Sequence, residues 1–202
     1  MGSKERRERQ KESLRQEILD AARDLFVNEG YENVSMRRIA DKIEYSPTTI
    51  YLYFQDKSEL LFNICEETFA RLSDRLEEIT RGDDPIQCLK KGLDAYVQFG
   101  LQYPNHYRVT FINHPTHSVD KERYLHEGSM GMNAYSQLRL GVERCVQAGL
   151  FRVTDIDLIS QSMWAAVHGV TAILITKAHF PWVDKEKMIS LVIDNIIEGL
   201  MV

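Results

Sequence analysis

Apolar residues recur along most of this chain at spacings of three and four, the period of an α-helix packed on one side. Leu14, Ile18, Leu19, Ala22, Leu25 and Phe26 form the first stripe, which predicts a helix over 14–29 closed by Gly30 as a C′ glycine. Ser35 is placed to cap a short helix over 36–43, with Ile39, Ala40 and Ile43 inward. Ser46-Pro47 is a cap followed by proline at the first helical position and opens a helix over 47–54. Asp56 with Glu59 makes a capping-box pattern for a long helix over 57–81. After the break at 81–85, Asp84 and Pro85 start a helix that runs to about Tyr103, and Pro104 restarts the chain. Residues 113–118 read as a loop. Helices follow over 120–148, ending at Gly149, over 155–179 with Thr154 as cap, and over 185–201. The last carries Ile189, Val192, Ile193, Ile196, Ile197 and Leu200 on one stripe. β-branched alternation is nearly absent, so the expected fold is all-α with about nine helices.

The stretch "SPTTIYLYFQDK" at 46–57 departs from this packing pattern. It carries hydroxyls and aromatics where a core helix would carry aliphatics. Two short helices joined by "EY" and preceded by a longer one make a three-helix helix-turn-helix unit, whose last helix enters a DNA major groove. Thr48 and Thr49 are then placed to reach base edges, and Tyr51 and Tyr53 to donate to phosphates. Lys57 stands at a helix N-terminus, where charge and dipole both attract phosphate. Ser35, Arg37, Arg38 and Ser46 complete the expected DNA-binding set, with one of the two arginines facing phosphate and the other a carboxylate, or either on a solvated face. Residues 1–57 are the expected DNA-binding domain, and 58–202 a larger helical bundle for effector binding and dimerisation.

The order and spacing resemble the TetR family of bacterial transcriptional regulators. The matching residues are Phe26, Gly30, Ser35, Ile39-Ala40, Tyr51-Leu52-Tyr53-Phe54, Lys57 and Glu59-Leu60, and the resemblance covers about residues 14–61. "PNHYRVTF" at 104–111 and "WAAVHG" at 164–169 are similar to the WHG type of TetR C-terminal domain. The resemblance implies a repressor of transcription that leaves its operator when a small molecule binds. One departure stands in the turn, where the family commonly has Ala-Gly-Val-Ser and this chain has Ile43-Glu44-Tyr45-Ser46. Glycine there relieves a left-handed backbone, so Glu44 is expected to cost ~1 kcal/mol or the turn to differ.

Composition adds boundaries. The 202 residues suffice for one large domain or two small ones, and 44% are hydrophobic. Net charge is −5, yet residues 1–57 hold 11 basic and 11 acidic side chains, so the acidity lies entirely beyond them. The run at 4–11 has five basic and two acidic residues, a minor-groove arm or a solvated end. Cys65, Cys88 and Cys145 are too scattered for a CxxC pair and read as buried free thiols in a cytoplasmic protein. The N-terminus has no apolar signal region, and the run Met163–Ile175 is too short to span a bilayer, so no membrane partner is expected.

Two further sets follow from the pattern. Tyr96, Phe99, Tyr103, Tyr107, Phe111, Met132, Tyr135, Met163, Trp164, His168 and Thr171 make the middle helices rich in aromatics and methionine, which suits a cavity for a small hydrophobic effector. About half of them are expected to be plain core. Ala165, Gly169 and Ala172 are small, and with Ile189, Ile193, Ile196 and Ile197 they suit a four-helix homodimer interface. His114 and His117 have no neighbouring ligand set, and neither a metal nor a cofactor is expected. Catalytic motifs are absent, so an enzyme is the weakest reading. A helical adaptor or ligand-binding protein that no longer binds DNA specifically stays open, because of Glu44 and the balanced charge of the first domain.

Overall fold

The computed structural model describes residues 3–79, 82–113 and 128–202. Nine α-helices lie among them: α1 (Ser3–Glu29), α2 (Met36–Lys42), α3 (Pro47–Tyr51), α4 (Lys57–Ile79), α5 (Pro85–Gln102), α6 (Pro104–Tyr107), α7 (Met130–Gln147), α8 (Ile156–Thr176) and α9 (Lys185–Glu198). A π-helical turn, Arg108–Ile112, continues α6. The described residues fall into two compact units, those up to Thr68 with 105–113, and 69–104 with 128–202.

The first unit is built on the stripe of α1. Ile18, Leu19, Ala22, Leu25 and Phe26 are buried together with Ile39, Ile50, Phe54, Leu60, Leu61 and Ile64. Arg15 ties α1 to α4, donating to Asn63 Oδ1 at 2.6 Å and lying over the Phe54 ring at 5.3 Å. Tyr107 and Val109 are also buried here, and the π turn packs against α1.

In the second unit α5 is the central helix. It packs against α7, α8 and α9 and buries Leu89, Leu93, Tyr96, Val97 and Phe99. Ile159, Met163, Val167, Val170 and Leu174 of α8 face it, as do Ile189, Ile193 and Ile197 of α9. Lys90 donates to Asp194 at 2.6 Å and joins α5 to α9.

The local signals held where they are local. Ser35, Ser46 and Asp84 accept from the backbone N–H three residues on at 3.1, 3.2 and 3.1 Å. Gly30 and Gly149 have φ of 82° and 68°. Several boundaries differ. α1 begins at Ser3 rather than 14, because 3–13 has no apolar stripe to signal a helix yet consists of good helix formers without glycine or proline. α3 ends at Tyr51 rather than 54. α7 begins at Met130, capped by Ser129, rather than at 120. Asp155, not Thr154, caps α8, since its carboxylate reaches Leu158 N at 3.0 Å. Apart from Asn113, the loop expected at 113–118, with His114 and His117, lies outside the described residues.

The reading of Met163–Ile175 as too short to span a bilayer also changes. The helix containing it is 21 residues long and apolar enough to cross one by length and composition. It packs as a bundle helix, with a little under half of that stretch buried inside the protomer. What needs explaining is its apolar outer face.

Candidate nucleic-acid interface

α2 and α3 are held by caps that consume some of the expected DNA-binding groups. Ser35 Oγ accepts from Arg38 N at 3.1 Å. Ser46 Oγ accepts from Thr49 N at 3.2 Å and pairs with Thr49 Oγ1 at 2.9 Å. Arg38 donates to both Glu29 carboxylate oxygens, at 2.8 and 3.4 Å. That hydrogen bond holds the Glu29 carboxyl below its ordinary range and raises Arg38. Arg38 is thus the arginine that faces a carboxylate, while Arg37 is exposed.

The exposed edge of α3 carries Thr48, Tyr51 and Leu52, three and four residues apart and so on one face. Tyr51 is 55% exposed and Leu52 77%, while Ile50 just before them is fully buried. Tyr53 is half-buried. Leu52 and the exposed Tyr45 were absent from the sequence-derived set; the four-residue step from Thr48 was the signal for Leu52.

Lys57 is bound inward. Its Nζ donates to the Tyr31 carbonyl at 2.6 Å and lies 4.1 Å from the centre of the Tyr31 ring. An ammonium has three N–H donors, so this bond leaves capacity for a phosphate. The capping box beside it is displaced by one residue. Asp56 Oδ1 accepts from Glu59 N at 2.8 Å, and the Glu59 carboxylate accepts from Gln55 N at 2.6 Å.

The turn between α2 and α3 closes as a Schellman motif. Tyr45 N donates to Ala40 O at 3.0 Å and Glu44 N to Asp41 O at 3.4 Å. The motif puts Glu44 at φ 60°, the one positive-φ non-glycine among the described residues. Glu44→Gly should stabilise the fold by about 1 kcal/mol. The corresponding rise in melting temperature is about 2–4 °C. A fall on calorimetry would show that the Glu44 side chain contributes more than its backbone costs.

Of the expected effector residues, the second unit gathers Tyr96, Tyr135, Trp164 and His168. Trp164 Nε1 donates to Tyr96 Oη at 3.2 Å, and Tyr96 Oη lies 3.2 Å from His168 Nδ1. Indole only donates, so the Tyr96 oxygen accepts from Trp164, and burial lowers the His168 pKa, which favours a neutral imidazole. The Tyr135 ring lies 6.2 Å from that of Trp164, and its buried hydroxyl has no hydrogen-bond partner among the described residues. Phe99, Met163 and Thr171 are buried as core, Tyr103 is half-buried against Phe99 at 5.3 Å, and Met132 is exposed. Tyr107 and Phe111, 4.7 Å apart, belong to the first unit and do not join this cluster. An open groove of about 900 Å³ runs along α1, lined among others by Arg9, Glu12, Gln16 and Lys42.

The interface set divides. Ile189, Ile193 and Ile197 are buried within the protomer and leave no area for a partner, which corrects their assignment. Ala165 and Gly169 are exposed, and Ala172 and Ile196 half-buried. Leu158, Ile173 and Leu191, not anticipated, are exposed beside them. All three cysteines are buried free thiols, with Cys65 pushed up to about 12 and Cys145 to about 11 by burial. No group of three or more potential metal ligands occurs among the described residues.

Comparison with known proteins places this arrangement. Residues 18–64 match the family described as "Bacterial regulatory proteins, tetR family", and residues 89–196, more than half the chain, match "Tetracyclin repressor-like, C-terminal domain". The HTH-type transcriptional activator FasR of Mycolicibacterium smegmatis is 25% identical over 197 residues, covering 94% of this chain and 80% of FasR. The TetR family regulator PfmR from Thermus thermophilus superposes with a TM-score of 0.72 at 24% identity, covering 92% of this chain and 96% of PfmR. FadR from Bacillus subtilis, solved in complex with stearoyl-CoA, superposes with a TM-score of 0.78 at 19% identity, covering 92% and 98%. The two structural likenesses speak to the fold, and the matched helix-turn-helix to what it does. The chain belongs to the TetR family and is a DNA-binding transcriptional regulator, not an enzyme.

Proposed function

We propose that the protein binds a near-palindromic operator as a two-fold dimer, represses transcription there, and leaves when a small hydrophobic effector occupies its C-terminal bundle. Residues 1–57 supply the DNA contacts and 58–202 the effector site and dimer face. The observation that carries the reading is the exposed Thr48–Tyr51 edge of α3, held at a fixed angle by the Ser46 cap and the buried Ile50. Thr48 and Tyr51 read base edges, and Arg37, Tyr53 and Lys57 hold phosphates. Thr49 and Ser35 act mainly through their caps. The adaptor reading loses ground, because the strained Glu44 turn still closes and α3 remains exposed. A regulator of chromosomal genes would act in the cytoplasm.

The dimer face supports the same reading. The outer side of α8 presents Leu158, Ala165, Gly169, Ala172 and Ile173, and α9 adds Leu191, Val192 and Ile196. A helix apolar on both sides is stable in water when both are covered. Two such helices from each chain make a four-helix interface and set two recognition helices one or more DNA turns apart.

For the effector, the Tyr96–Trp164–His168 chain and the unpaired Tyr135 hydroxyl supply hydrogen bonds among aromatic walls. The stearoyl-CoA bound by B. subtilis FadR favours a long acyl chain as the occupant. FasR is described as an activator, which makes activation the second reading. Selection of binding sites from random DNA tests the core claim and should return an inverted repeat. Titrating stearoyl-CoA into the complex should release the DNA, and a reporter gene fixes the sign. Failure to enrich any sequence would return the adaptor reading.

A further inference from the structure

The outward side of α3 carries a leucine. Leu52 stands two residues after Ile50 and two before Phe54, and both of those are buried. The winding continues through it, since Leu52 has φ −72° and ψ −18° and Phe54 N donates to Ile50 O at 3.1 Å. At about 100° per residue, Leu52 points within about 20° of directly away from each of these two anchors. It is 77% exposed. Thr48, one turn earlier on the same side, is exposed as well. A lone exposed leucine is ordinary on a protein surface, but this one stands at the centre of the outer face of α3.

In a helix-turn-helix the second helix of the pair enters the major groove. What the middle of its outer face carries is what the groove meets. The neighbours of Leu52 there are polar at their tips, the hydroxyls of Thr48 and Tyr51. Leucine has neither donor nor acceptor. Set against a phosphate, it would strip water from the oxygens and return no bond. Set against the amino group of adenine or cytosine, it would leave a donor unpaired. One apolar group is displayed on base edges in the major groove, the C5 methyl of thymine.

We propose that Leu52 is a specificity-determining residue that reads the C5 methyl of a pyrimidine, so that each half-site of the operator carries a thymine beneath it. The methyl and the isobutyl group leave water together. Burying one methyl is worth about fourfold in affinity, and about fifteenfold over the two half-sites of a dimer. Thr48 lies four residues earlier, about 6 Å along the helix axis, and base pairs are spaced about 3.4 Å apart. The base pair that Thr48 touches and the thymine under Leu52 therefore lie within about two base pairs of each other. 5-Methylcytosine displays the same methyl on a G·C pair, which separates the methyl from the rest of the thymine. The inference rests on the operator reading above and adds to it the chemistry of one contact.

Uracil is thymine without that methyl, and it supplies the test. Each thymine of the selected operator is replaced by uracil in turn, in both half-sites together, and binding is measured by band shift. Wild type should lose about fifteenfold at the position under Leu52. Leu52→Ala should bind the thymine and uracil operators equally at that position, and Leu52→Met, still apolar, should keep the difference. Cytosine placed there should weaken wild-type binding, and 5-methylcytosine should recover about fifteenfold with wild type and nothing with Leu52→Ala. Since the side chain is exposed, both variants should melt within about 1–2 °C of wild type. Tolerance of uracil at every position overturns the proposal, and so does an equal loss with wild type and Leu52→Ala. A selection that returns no sequence brings down the operator reading first, and this contact with it.

Discussion

Replacing Gly169 by arginine should convert the protein to a monomer whose operator affinity is about 10²–10⁴-fold weaker, because the second half-site is then no longer held at high effective concentration. The reasoning starts from a cost. Glycine inside a helix is less stable than alanine by roughly 0.5–1 kcal/mol. Nothing in the protomer requires it at 169, since a Cβ built there meets no atom within 4 Å and the side chain would face solvent. Its neighbours on that side are Ala165, Ala172 and the exposed Leu158 and Ile173. A partner helix approaching closely accounts for both the small residues and the uncovered apolar ones. Arginine fits the free protomer but not that approach, so folding should survive while association fails. Gly169→Ala is the companion: it should leave the monomer fold intact and weaken the dimer. Sedimentation and a band-shift titration read the two effects separately. A dimeric Gly169→Arg with wild-type DNA affinity would remove α8 from the interface.

Lys57→Ala should weaken binding to every DNA sequence alike, by about tenfold, and reduce the slope of log affinity against log salt by ~0.9, one phosphate contact. It should also destabilise the first unit by roughly 1–2 kcal/mol, through loss of the hydrogen bond to the Tyr31 carbonyl and of the ring contact. The two losses are separable. Lys57→Arg keeps the charge but not the fit over Tyr31, so it should retain the salt slope better than the stability. Unchanged salt dependence with a lowered melting temperature would make Lys57 an internal tie and nothing more. Thr48 variants make the contrast, since they should alter the selected sequence and leave the slope alone.

The turn at Glu44 shows how far a local signal carries. The resemblance, with glycine common at this turn position, implied a left-handed residue or a different turn, and the Schellman bonds produce a left-handed residue at φ 60°. The caps at Ser35, Ser46 and Asp84 were readable for the same reason, because each is a bond between residues three apart. Arg37 and Arg38 were not distinguishable by that route. The partner that separates them, Glu29, lies nine residues back on another helix.

By itself the sequence determined most of the helices and their caps, the helix-turn-helix and the burial of Ile39 and Ala40, because each follows from a 3.6-residue period or from bonds within one turn. Tertiary structure alone decided that Lys57 folds back on Tyr31, 26 residues away, and that Lys90 joins Asp194 across 104. It also decided which isoleucines of α9 face inward. Ile189, Ile193 and Ile197 close the protomer core while Ile196 stays half-buried, and a stripe of identical residues carries no mark of which side meets which neighbour. The π turn at 108–112 was invisible for a related reason: it packs against α1, a neighbour far away in sequence, and no pattern within its five residues marks it.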